Sequence, residues 1–154
     1  MRSRTANWFL CKIRYEKTME DGLQKKVTEQ FVVNALSFTE AEARIMEEMS
    51  SYISGEFDVV EIDRCVFGEI FFSDEDMADK WYKSKLQFIT IDEKTEKEKK
   101  TNVYYLVKGS SLEDARKNID EVMGGTMIDY VISSVGETKI MDVFECGAPN
   151  KEEY

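Results

Sequence analysis

Two tryptophans and two lysines stand at one spacing in two places of the 154-residue chain: Trp8 with Lys12, and Trp81 with Lys85. In a β-strand, side chains alternate between faces, so residues four apart share a face. Trp8 and Lys12 are therefore expected opposite Phe9 and Ile13, and Trp81 and Lys85 on the matching face of a second strand. Arg14 and Lys83 add charge there. On the expected partner strands, Lys26, Thr28 and Gln30, and then Lys100, Asn102 and Tyr104, belong to the same faces. Aromatic rings stack on bases and cations follow a phosphate backbone, the combination used by single-strand binders. A sheet with exposed aromatics is also a platform for RNA. The candidate ligand-binding set is thus Trp8, Lys12, Arg14, Lys26, Trp81, Lys85, Lys100 and Tyr104. A purely structural role explains the same residues: outer-face lysines are ordinary, and a tryptophan at a strand start often covers the end of a core. Exposed aromatics alone are weak evidence of a site.

Other chemistry is thinner. The chain has no histidine, which removes the usual near-neutral proton carrier and the commonest zinc ligand. Asp129, Glu137 and Lys139 follow the order of a divalent-metal nuclease core, with carboxylates for Mg²⁺ and a lysine for the attacking water. So short a pattern arises easily among 31 acidic residues. Glu61 and Asp63 share a strand face and suit a hard cation, although a solvated edge accounts for them equally. Gly124-Gly125 ends a helix, where a phosphate site would open one. No catalytic residue, metal or cofactor is expected. The net charge of −10 disfavours indiscriminate nucleic-acid binding but leaves room for a local basic face. Cys11, Cys65 and Cys146 are odd in number and widely spaced, which fits reduced thiols and a cytoplasmic location. No apolar run approaches the roughly 18 residues of a membrane helix, so no membrane partner is expected.

The elements that must position these residues come in two similar series. Trp8–Tyr15 is echoed by Trp81–Phe88 at an offset of 73, and Ala41, Ile45 and Met49 by Ala115, Ile119 and Met123 at an offset of 74. Residues 8–16 and 26–34 alternate as strands, with Asp21-Gly22 as a turn signal between them. Ser37 with Glu40 forms a capping box, and the apolar face of the helix it opens runs through Ala41, Ile45, Met49 and Ile53. Residues 57–72 read as one long strand or a hairpin broken near Asp63-Arg64 or at Gly68. Residues 73–80 read as a short acidic helix or turn. Strands over 81–91 and 100–108, a helix capped by Ser111 and Asp114, and closing strands within 129–145 complete the second series. The expected fold is α+β: a tandem repeat of two β-β-α-β(β) units forming a pseudo-two-fold, mostly antiparallel sheet with two main helices. The expected bounds are 1–72 and 73–146 around one shared core, with 147–154 as a flexible tail.

Several strings carry a resemblance: Asn7-Trp8-Phe9 with Cys11-Lys12, Tyr15 to Met19, Ala35 to Arg44, Ile53 to Phe57, Glu69 to Asp74, and Gly125-Thr126-Met127. Across roughly residues 7–144 the chain resembles an uncharacterised family of Bacteroidetes and their bacteriophages. The resemblance implies a bacterial or phage setting and transfers no activity. The leading expectation is a non-enzymatic binding protein of a phage or mobile element that contacts single-stranded nucleic acid. The alternatives are an acidic module that inhibits or scaffolds a host protein through Glu40, Glu47, Glu61 and Asp63, and the metal nuclease. Long strands leave edges that could pair between chains, so a homo-oligomer is a further option.

Overall fold

A computed structural model of the chain describes residues 1–147. These form strands β1 (Arg2–Thr5), β2 (Trp8–Thr18) and β3 (Gln24–Asn34), helix α1 (Phe38–Tyr52), and strands β4 (Phe57–Arg64), β5 (Glu69–Phe72), β6 (Lys80–Ile91) and β7 (Glu98–Gly109). Helix α2 (Leu112–Gly124) and strands β8 (Tyr130–Glu137) and β9 (Ile140–Phe144) follow. The fold is α+β with two helices and mostly antiparallel pairing. In place of the single sheet expected there are two, of four and five strands.

The chain divides into two compact units that are not consecutive blocks. Among the described residues the Trp8 unit holds Ala6–Cys65 and the segment 139–147; the Trp81 unit holds Met1–Thr5 and Val66–Thr138. In the Trp8 unit the strand order is β4-β2-β3-β9, with β9 parallel to β3. In the Trp81 unit it is β1-β5-β7-β6-β8, with β5 parallel to β7 and β1 antiparallel to β5. Strand β1 lies in a stretch where the sequence announces no element. Its sequence, Arg-Ser-Arg-Thr, carries no hydrophobic period; only its backbone pairing with β5 makes it a strand.

Each unit builds its core by the same local means. On β2, Phe9, Cys11, Ile13 and Tyr15 point inward and meet Ala41, Ile45 and Met49 of α1. On β6, Tyr82 and Leu86 meet Ala115, Ile119 and Met123 of α2. Fully burying one such aliphatic side chain is worth about 1.5–3 kcal/mol. Ser37 Oγ accepts from Glu40 N at 3.1 Å, and Ser111 Oγ from Asp114 N at 3.1 Å, so both helices start where the sequence placed their caps. Both central strands carry a register shift, at Lys12/Ile13 and at Lys85/Leu86. Trp8 O accepts from Cys65 N, and Trp81 O from Thr138 N, each at 2.9 Å. The β2–β3 turn uses Gly22 at φ 83°, a conformation that other residues adopt at a cost. Residues 73–79 form an irregular connection with a turn at Asp76-Met77, and the expected tail lies outside the described residues apart from Gly147.

Candidate anion-binding face

Lys12, Arg14, Lys26 and Gln30 do share the outer face of the Trp8 unit's sheet, as strand alternation requires: Lys12 pairs with Gln30, Arg14 with Thr28, and Glu16 with Lys26. Their chemistry is not that of an open cationic surface. Glu61 lies opposite Lys12 on β4, and the two form an ion pair at 2.7 Å. This contact lifts the Lys12 ammonium above its ordinary value and holds the Glu61 carboxyl below the usual range. Asp63, opposite Leu10, hydrogen-bonds to Glu61 and is pushed up by that contact. Arg14 and Lys26 line a cleft of about 570 Å³ further along β2, together with Lys17. Glu16, Glu56 and Asp58 line it too, so its charges balance.

In the Trp81 unit the same positions differ. Lys85 pairs with Tyr104 on β7 and with Ser134 on β8; Lys83 pairs with Gly136. Serine and glycine thus stand where the Trp8 unit has Glu61 and Asp63. Lys83, Lys85, Tyr104 and Ser134 line a shallow cleft of about 420 Å³. Lys83 Nζ sits 5.6 Å from the centre of the Tyr104 ring, within cation–π range. Neither lysine has a carboxylate partner among the described residues. The cleft's one acid, Glu137, is engaged at its rim by Lys80 at 3.4 Å. Gln87 donates to Asn102 at 3.3 Å one step along the face, and Lys100 lies exposed beyond, opposite Ile89.

The tryptophans do not belong to either surface. Trp8 is 2% exposed and Trp81 3%, so neither ring offers a face on which a base could stack. Alternation had placed them outward, but strand parity fixes only the side of the sheet, not what covers it. Trp81 is flanked edge-on by Phe72, at 5.7 Å between ring centres, and by Lys108 Nζ at 5.7 Å. Of the eight expected residues, Lys85 and Tyr104 meet in one cleft and Arg14 and Lys26 in another. Lys12 is neutralised, Lys100 stands apart, and the two tryptophans are buried. Ser134 and Lys83 were not in that set. Lys83 was legible as added charge on that face; the signal that could have found Ser134 is the alignment of β8 with β4, which puts Ser134 and Gly136 at the places of Glu61 and Asp63.

The remaining candidates do not assemble. Asp129 precedes β8 and Glu137 ends it, so eight residues of extended chain separate them by about 26 Å. Cys11 is buried and its thiol is pushed up to about 12 by that burial, so it stays protonated and inert. No helix among the described residues is long and apolar enough to cross a membrane.

Residues 7–146, which include every one of these positions, match a domain of unknown function, DUF4494. The chain belongs to that family. The DUF4494 match begins just before β2 and leaves β1 outside. No curated protein and no solved structure matches the chain. Within DUF4494, any function assigned to this chain rests on its own side chains.

Proposed function

We propose that this DUF4494 protein is a non-enzymatic binding module that holds a segment of single-stranded nucleic acid on the outer face of β6, β7 and β8. The observation that carries this reading is the replacement of Glu61 and Asp63 by Ser134 and Gly136. It leaves Lys83 and Lys85 without a carboxylate, beside the half-buried Tyr104 ring. Two ammonium groups supply phosphate contacts, Ser134 a hydroxyl donor, and Tyr104 a surface for one base; Gln87 and Asn102 extend the polar track. In a chain of net charge −10 such a face must act locally, so affinity depends on a few contacts and falls with salt. The β-β-α-β elements of the two units are read here as a duplicated pair with a pseudo-two-fold relation, in which one copy keeps a neutralised face and the other an open one. Setting in a phage or mobile element, and in a cytoplasm, rests on the sequence resemblance and the spacing of the cysteines.

The test is fluorescence anisotropy of a labelled oligothymidylate at several salt concentrations. Binding should weaken linearly in log–log form with salt, and Tyr104→Ala should cost about 1–3 kcal/mol, the usual worth of stacking one base. Salt-independent binding, or full affinity in Tyr104→Ala, would rule the reading out. Intrinsic tryptophan emission should stay unquenched in the complex, because both indoles are buried.

A further inference from the structure

Strand β4 is an edge of the Trp8 unit's sheet: among the described residues it pairs with β2 on one side and with no strand on the other. Beside that edge runs a groove of about 370 Å³, bounded by Phe38, Thr39 and Glu42 of α1 and by Val59 to Ile62 of β4. A strand edge next to a helix-walled groove is the geometry in which an extended peptide adds a strand, its backbone paired to the edge and alternate side chains sunk into the groove. The groove holds exposed apolar surface: Phe38 is 47% exposed and Val60 40%.

Register decides what the peptide should look like. Asp58, Glu61 and Asp63 pair with Arg14, Lys12 and Leu10, so all three carboxylates point to the outer face. Val59 and Ile62 pair with Ile13 and Cys11 and face the helix. Glu42, exposed at the groove wall, has no ion-pair partner among the described residues. The nearby cations are committed elsewhere: Lys12 to Glu61, and the Arg64 guanidinium over the rings of Phe9 and Phe38 at 5.4 and 5.5 Å. A strand laid on β4 would therefore meet apolar surface and Glu42 on the helix side, and on the other Asp63 beside the Lys12-paired Glu61, an excess of acid on both. We infer that β4 and α1 form a docking site for an extended protein segment of alternating apolar and basic residues, bound by strand addition. The acidic edge disfavours a second copy of this chain, since acid would then face acid, and the same charge admits a basic strand.

The probe is a fluorescein-labelled eight-residue peptide alternating valine and lysine. Two controls accompany it: one with glutamate in place of lysine, and one of unchanged charge, N-methylated at the residues that would pair with β4. The intact peptide should bind, and amides of residues 58–63 should gain hydrogen-exchange protection. The N-methylated peptide, and the intact peptide on Val60→Lys or Glu42→Lys protein, should each bind at least tenfold more weakly. Both substitutions are at exposed positions, and oligothymidylate binding to the Trp81 unit should be unchanged in each. Equal binding of the N-methylated peptide would reduce the interaction to net charge and overturn the proposal. So would full affinity in both variants, or sedimentation showing a dimer that Val60→Lys abolishes.

Discussion

Lys12 and Lys85 occupy matching places on their strands, each beside a register shift, yet one is neutralised and the other is not. The difference lies in a single facing residue, Glu61 against Ser134. Glu61 is held below the usual carboxylate range by Lys12, so its stabilising contribution is present above its ordinary pKa and is lost as pH falls through the lowered folded value. Carboxyl NMR titration should show Glu61 titrating low and Asp63 high, and Lys12→Met should move Glu61 back up; an unmoved Glu61 would break the assignment. A second titration belongs to the alkaline side. Tyr105 is raised to about 12 by burial, and Tyr130 to about 12 by its hydrogen bond to Asp120 at 2.7 Å. Both hold their protons longer when folded, so their contribution is whole below pH 10 and disappears as pH rises through about 12. Tyr15 and Tyr82 are raised as well, so phenolate absorbance should lag behind that of free tyrosine and rise together with unfolding. Cys11 should resist alkylation at pH 8 until the protein unfolds, as mass spectrometry of labelled peptides would show.

Among the elements, the helices were the most legible. Ser37 and Ser111 announce their caps by local chemistry, and the apolar stripes Ala41-Ile45-Met49 and Ala115-Ile119-Met123 are the residues that are buried. Ser37→Ala and Ser111→Ala should each cost about 1 kcal/mol in urea unfolding. Ile45→Ala and Ile119→Ala should cost about 2–5 kcal/mol by leaving cavities. A loss below half a kcal/mol at Ile45 would contradict its place in the core. Strand existence was legible for β2, β3, β6 and β7, whose alternation is long. Strand partners were not: β5 joins β7, and β9 joins β3, by parallel pairing across many residues, and nothing local specifies that choice. Strand β1 has no pattern at all. The same limit misplaced Trp8 and Trp81, because alternation gives the side of a sheet and burial depends on what covers it.

For the molecule as a whole, two units with similar internal construction carry different surfaces. The Trp8 unit offers a charge-balanced cleft and an acidic edge; the Trp81 unit offers Lys83 and Lys85 beside Tyr104. A chain-wide charge of −10 conceals that contrast, which explains why composition spoke against nucleic acid while one face remains cationic. The sequence did contain the contrast, in Glu61 and Asp63 against Ser134 and Gly136, but only a correct pairing of β4 and β8 with their neighbours makes it visible. The central claim is that only one of the two faces is open. Affinity for oligothymidylate at low salt, compared between Lys85→Glu and Lys12→Glu, tests it most directly. At least a tenfold loss in Lys85→Glu with little change in Lys12→Glu is the predicted result. Equal losses in both, or none in either, would contradict it.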